Sequence, residues 1–484
     1  MNFAVETVAT VSPSAIVGLV VAIAVLIVLV LKTKVHALLA LIIAASIAAL
    51  AAGMTPEVAV ASITKGFGST LATIGLVVGF GVMMGRILEV SGAAEKLAIT
   101  MIRWLGNKRE EWALSVAGYI ISIPIFVDSA FVILTPLVKA LATSTGRSRL
   151  TLGIAMAGGM VLTHHAVPPT PGPLGAAGIY GVSIGEMILY GVLLTLPALV
   201  TVTLYARFAG PRIEAMAPVA ASVAAGGGTG NILPVADDKT TAKEAFQEFN
   251  DLADERLKVL PSLFLSVLPI LAPIVLIFLN TGISAFAKTT EGIMPDVVVQ
   301  IASFLGNPVI AVGIGVILAI YGLARKQDRN SVLAEMEKGV ESAGIILLVT
   351  GAGGALGAVL RDSGVGDAIG QWVSGLPLPS ILIPFFIATM VRLVQGSGTV
   401  AIITSASLSA PILAQIPDVN MVLAAQAACL GAMVFSYFND SLFWVVNRML
   451  GVTDVKRQIL TWSIPTTVAW ATTLVTILVA NTFL

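Results

Sequence analysis

Apolar residues fall along this chain in runs of about 17 to 25 separated by short polar stretches, the length of a helix crossing roughly 30 Å of hydrocarbon. The pattern predicts helical spans near 15–31, 35–53, 67–88, 150–180, 187–208, 260–279, 300–323, 341–361, 421–447 and 460–482. Two further apolar regions, 111–145 and 377–414, are too long for one straight span. The first is interrupted from Pro124 to Ser129 and the second from Gln395 to Gly398. Spans 150–180 and 421–447 are interrupted as well. The expected fold class is therefore an all-α polytopic membrane protein.

Positive charge orients the spans, because cytoplasmic loops carry an excess of Lys and Arg. Lys108 and Arg109 precede region 111–145, and Arg147 and Arg149 follow it. Both of its ends then lie on the cytoplasmic side, which makes it a re-entrant hairpin. The flanks of region 377–414 hold no Lys or Arg, so that hairpin opens from the outside. With this topology all Lys and Arg except Lys65, Lys288, Arg361 and Arg392 sit at cytoplasmic ends, and both termini face out. The first run is followed, not preceded, by Lys32 and Lys34, so it reads as a span and not as a cleaved leader. Arg86, near the cytoplasmic end of its span, reads as a snorkelling anchor.

Composition narrows the functional classes. The chain is 57% hydrophobic and 11% charged, against about a quarter charged in soluble globular domains. A water-soluble multidomain enzyme is excluded. Lys plus Arg and Asp plus Glu balance at 27 each, so no net field points to nucleic acid. A lone cysteine, Cys429, excludes an intrachain disulfide and argues against a cysteine-based metal site. The one hydrophilic stretch, 210–259, reads as a cytoplasmic linker, Ala/Gly-rich over 217–230 and charged and helical over 239–258.

The segments on either side of this linker repeat. Lys65-Gly66 opens a run ending Gly85-Arg86-Ile87-Leu88-Glu89-Val90-Ser91-Gly92, and Lys338-Gly339 opens one ending Gly357-Ala358-Val359-Leu360-Arg361-Asp362-Ser363-Gly364. Gly158-Gly159-Met160-Val161 likewise matches Gly431-Ala432-Met433-Val434. The predicted topology runs the two copies in opposite directions. The chain thus divides into a first inverted repeat over 1–209 and a second over 260–484, each of five spans plus a hairpin. Inverted repeats with broken helices are a hallmark of secondary transporters. The glycines from Gly351 to Gly357 read as tight helix packing.

Irregular backbone at membrane depth survives only where protein or a wet cavity surrounds it, so the four interruptions mark the candidate site. They contribute the hydroxyls of Ser129, Thr163, Thr170, Ser397 and Thr399, the amide of Asn439, and Gly396 and Gly398 at a hairpin tip. Arg392, on the approach to that tip, is placed to clamp a carboxylate. Asp128 and Asp440 are intramembrane acids and candidate proton carriers, since desolvation disfavours a charged carboxyl. His164 and His165 are candidates for substrate contact and proton handling.

At these segments the chain resembles the gluconate permease (GntP) family of proton symporters, within the ion transporter superfamily. The likeness rests on Phe126-Val127-Asp128 with Phe131, Thr163-His164 with Pro168-Pro169 and Pro171-Gly172-Pro173, Arg392 with Gly396-Ser397, and Asn439-Asp440 with Phe443-Trp444. It extends from about residue 15 to 480. It implies proton-coupled import of a small organic anion such as gluconate or another sugar acid, through the inner membrane of a prokaryote. It further implies a homodimer, an elevator motion and no cofactor beyond the coupling ion. Thr170 and Tyr437 stand where the family pattern has histidine, and His165 is additional. Sodium coupling on the same fold remains an alternative, since hydroxyl- and carbonyl-rich tips suit Na⁺. A passive anion channel and an intramembrane hydrolase are more distant ones.

Overall fold

Helix starts are written into the chain by short polar side chains that accept from the first free backbone N–H groups. Thr55, Ser148, Asn307, Asp328, Asn420 and Asp454 all cap in this way, and Pro56 and Pro308 occupy the first helical positions behind two of them. The computed structural model of the protein describes residues 13–105, 109–216, 254–289, 295–365, 379–437 and 440–483, and its regular elements are all helical.

The first half comprises α1 (Pro13–Lys32), α2 (Ala37–Ala51), α3 (Pro56–Val90), α4 (Ala93–Leu105), α5 (Glu110–Ile121), α6 (Val127–Thr145), α7 (Arg149–Ala166), α8 (Pro171–Tyr180) and α9 (Ile184–Ala215). The second comprises α10 (Leu263–Thr289), α11 (Asp296–Leu305), α12 (Pro308–Leu323), α13 (Arg329–Asp362), α14 (Leu382–Gln395), α15 (Gly398–Leu413), α16 (Met421–Gly431), α17 (Ser441–Met449) and α18 (Val455–Phe483). A π-helical turn over Ile459–Ser463 interrupts α18. Five of the described helices or helix pairs are long and apolar enough to cross a membrane, or seven if each bent pair is one span. The expected spans 35–53 and 421–447 fall on shorter apolar elements, α2 and the α16–α17 pair.

Burial separates centre from rim. The most apolar window of α7–α8 is 94% buried, whereas that of α10 is only 28% buried, so α7–α8 forms the axis and α10 faces outward. In lipid, helices associate through close packing of small residues. Gly158 of α7 accordingly lies against Val202 of α9, and Gly159 against the Ser115 carbonyl of α5.

Helices α3 and α13 pack antiparallel along much of their length. Ser62 donates to Asp362 at 2.7 Å at one end, and Arg86 donates to Glu335 at 2.6 Å at the other. Between them the α13 glycines give room. A side chain at Gly351 would meet the Phe67 ring at 2.7 Å, and one at Gly353 would meet Ile403 of α15 at 2.7 Å. These glycines are packing residues.

Several expectations change. Arg86 is no snorkelling anchor: it is held between Glu89 one turn on and Glu335 across the interface, at 2.6 Å each. The predicted spans 67–88 and 341–361 are the apolar parts of longer helices, because Thr55 and Asp328 cap polar first turns that hydropathy does not register. Span 300–323 is two helices bent by 61°, since Asn307 caps α12 through Val309 N at 3.0 Å and Pro308 disfavours helical backbone before it. Helix α9 runs on to Ala215, into the expected linker. Residues 217–253, most of that linker, lie outside the described residues.

Candidate functional site

Each interruption becomes a helix break, and each break aims a helix N-terminus at one region. The chain turns back between α5 and α6 at Ser122 to Phe126, where the Ser122 hydroxyl donates to the Ile125 carbonyl at 3.2 Å. The outer ends of the two helices meet again through the Arg147–Glu110 ion pair at 3.2 Å. Gly85 of α3 lets the turn approach, since a side chain there would collide with the Pro124 carbonyl.

Helix α7 stops at Ala166 because Pro168 and Pro169 supply no N–H, and α8 restarts at Pro171. The carbonyl of Ala166, freed by this break, accepts from the buried Gln426 side chain at 2.9 Å. The same Nε2 donates to the Met187 carbonyl at 2.8 Å. Between α14 and α15 the backbone reverses at Gly396, whose φ of 87° favours glycine. The Ser397 hydroxyl then caps α15 through Val400 N at 3.4 Å. Between α16 and α17 residues 432–437 are non-helical, and Asp440 caps α17 through Leu442 N at 3.3 Å.

Arg392 and Asp440 meet at the centre. Arg392 is 4% and Asp440 8% exposed, and Nη2 of the arginine lies 2.6 Å from Oδ2 of the acid. Arg392 also donates through Nη1 to the Gly396 carbonyl, tying the ion pair to the hairpin tip. Ser436 donates to the same Asp440 oxygen. In turn, Ser436 accepts from Trp462 Nε1 at 2.9 Å, and its carbonyl accepts from Ser463 at 2.6 Å. Tyr437, standing where a histidine was expected, donates its hydroxyl to the Leu393 carbonyl.

Around this pair the other acids and bases are underused. Asp128, in the first turn of α6, keeps Oδ1 buried without a hydrogen-bond partner. It lies within electrostatic reach of both Asp440 and Arg392. His164 keeps Nδ1 buried without a partner, and its ring sits 6.1 Å from that of Phe126. His165 bonds Val161 carbonyl through Nδ1 at 3.0 Å and leaves Nε2 without a partner. That Nε2 is against Gly398, where any side chain would collide with it. Adjacent helical positions usually diverge, yet both histidines face the site because α7 ends directly after them.

The remaining candidates divide. Gly396, Ser397, Gly398 and Thr399 form the tip, and Gly172 of α8 comes within reach of the Thr399 backbone. Thr163 and Thr170 are buried there, but their hydroxyls donate to Met160 and Val167 carbonyls at 3.3 and 2.6 Å. Ser129 follows Asp128 in the first turn of α6. Asn439 lies outside the described residues. Sequence reasoning did not single out Trp462, Ser463 or Thr466, whose hydroxyl accepts from Ser436 N at 3.0 Å. The π-turn marks Trp462 and Ser463, a feature frequent at functional sites and absent from periodicity, and no such signal marks Thr466. Among the described residues no three His, Cys, Asp or Glu gather as a metal cage.

Residues 14–483 match the family described as GntP family permease. The chain is 52% identical over 470 residues to an uncharacterized permease of Haemophilus influenzae, covering 97% of this chain and 92% of that protein. It is 32% identical over 460 residues to a gluconate permease of Pseudomonas aeruginosa, covering 94% and 95%. In structure it is similar to a transporter of Alcanivorax borkumensis, with a TM-score of 0.59 at 15% identity, covering 88% and 89%.

Proposed function

The chain belongs to the GntP family of permeases, and on that premise we propose that it imports a small sugar-acid-like anion together with a proton. It is a multi-pass protein of the bacterial inner membrane and a permease by kinship, not an enzyme.

The buried Arg392–Asp440 pair carries the reading. Among the described residues, the site sets this one guanidinium against two acids, Asp128 and Asp440. A substrate carboxylate entering the site competes with Asp440 for Arg392, and the displaced acid has no second cation. A buried unpaired carboxylate is costly, so anion entry and proton uptake favour one another. Asp128, already short of a partner, is the first proton acceptor in this scheme and Asp440 the second. The N-termini of α6 and α8 carry no side-chain cap; α6 offers its free N–H groups to the anion, and α8, whose Pro171 and Pro173 have none, offers that of Gly172. His164, His165, Ser129, Thr163, Thr170, the tip residues Gly396 to Thr399, and Asn439 complete the shell.

Alternating access through inverted repeats has its own support in the α3–α13 interface. Gly66 abuts Gly354 and Ala358, while Gly339 abuts Val82 and Arg86. Gly66 and Gly339 are repeat mates, and so are Val82 and Gly354, Arg86 and Ala358. The contact is thus reciprocal about a two-fold, as an antiparallel pair of copies requires. An elevator motion of a homodimer, with both termini outside, belongs to the same proposal and rests on the resemblance and the charge distribution.

The test is uptake into proteoliposomes of gluconate and other C3–C6 hydroxy and sugar acids under an inward proton gradient, with a sodium gradient at equal pH in parallel. Proton-driven accumulation of one such acid is expected. Accumulation with sodium alone overturns the coupling, and none with either from folded, inserted protein overturns the substrate class.

A further inference from the structure

Where α6 gives way to α7, α9 ends and α18 begins, two guanidinium groups hold buried nitrogens with donors unused. Arg457, in the first turn of α18, is 5% exposed. Its Nε donates to the Ile213 carbonyl at 3.1 Å, and its Nη2 is buried without a partner. Arg149, the first residue of α7, keeps both Nε and Nη2 buried without a partner, as does the Thr151 hydroxyl beside it. Helix α9 joins the two. At Gly210 it runs so close to α7 that a side chain would meet Thr151 N at 2.7 Å, and Ile213 follows less than one turn later.

The charges nearby do not resolve the deficit. The electrostatic neighbours of Arg149 are Arg457 and Lys139, both like-charged, and a single acid, Glu214. Neither arginine forms an ion pair with a described residue. Elsewhere in the molecule Arg86 and Arg392 are each matched by a carboxylate, so the shortage is local. Buried guanidinium donors left unmatched are costly, and their fixed fork suits the oxygens of a tetrahedral oxyanion. The group also lies at the ends of α7, α9 and α18, the kind of position at which basic side chains meet anionic headgroups.

We propose that Arg149 and Arg457, with Thr151, form a binding site for a phosphate-bearing anion, separate from the transport site. The phosphate reaches it as the headgroup of an anionic phospholipid or as a free ion. One experiment separates the sources. Purified protein is titrated with phosphatidylglycerol or cardiolipin, with phosphatidylcholine, and with inorganic phosphate. Thermal unfolding and lipid retention in native mass spectrometry are recorded for wild type, R149Q, R457Q and the charge-retaining R149K and R457K.

Retention of the anionic lipids by wild type, weakened about tenfold or more in the Gln variants and by less in the Lys variants, which keep the charge but not the fork, supports the headgroup. Stabilisation by inorganic phosphate with the same dependence on Arg149 and Arg457 supports the free ion. Equal retention of phosphatidylcholine and anionic lipid, or anion binding unchanged in folded R149Q and R457Q, overturns the site. Wild-type protein indifferent to every anion overturns it without recourse to any variant.

Discussion

Asp440 receives two donors on a single carboxylate oxygen: Arg392 Nη2 at 2.6 Å and the hydroxyl of Ser436. Its other oxygen caps α17 at Leu442 N. One acid therefore holds the guanidinium on the α14–α15 hairpin, the break after α16 and the start of α17. In the proposed scheme, releasing Arg392 to a substrate carboxylate loosens all three together.

The pair is expected to behave as a unit in a double-mutant cycle. R392L or D440L alone strands a buried charge and costs about 3–5 kcal/mol. The double replacement costs clearly less than the sum, read as thermal unfolding in detergent. Additive losses would show the two to be independent.

Asp128 is expected to matter for coupling more than for folding. In D128N, proton-driven accumulation is lost while exchange of labelled for unlabelled substrate persists. Accumulation at wild-type level in D128N would remove Asp128 from the proton path.

Trp462 and Ser436 are expected to act through Asp440. W462F removes one neutral hydrogen bond, worth about 0.5–1.5 kcal/mol, whereas S436A removes that bond and a second one to the Asp440 carboxylate, worth about 1.5–3 kcal/mol. Substrate affinity should fall by roughly 2- to 10-fold in W462F and by more in S436A, with no effect of W462F in an S436A background. A full additional loss in the double variant would place Trp462 outside this chain of contacts.

Gly398 is expected to tolerate no side chain while His165 is present. G398A drives a methyl group into His165 Nε2 and abolishes uptake, whereas G398A with H165A regains part of it. Uptake by G398A alone at wild-type rate would show that the tip and the histidine are apart in the working protein.

The glycine seam between α3 and α13 gives a stability test with an internal control. G66A overfills the contact with Gly354 and costs about 1–3 kcal/mol. Gly68, two positions on and facing open space, gains from the same change about 0.5–1 kcal/mol as a helix interior position.

How much of this was readable in the chain depends on range. The four interruptions were visible because Pro168, Pro169, Gly396 and the polar run near Asp440 disturb an otherwise apolar periodicity, and the helices do break there. The Asn307-Pro308 break was equally readable, since Asn-Pro is a turn signal, but a continuous apolar background hid it. The capped polar starts of α3 and α13 escaped a hydropathy reading for the converse reason. What no local pattern carries is pairing at a distance: Arg392 with Asp440, Ser436 with Trp462, Arg86 with Glu335. Those follow only from which helices lie side by side.

The amide of Gln426 reaches from α16 in the second half to the stranded Ala166 carbonyl in the first, and at the same time to Met187. It works as a rivet through both halves at the height of the proline break. Parting the halves at this level strands the buried amide and the Ala166 carbonyl, at about 1–3 kcal/mol for each group left unsatisfied.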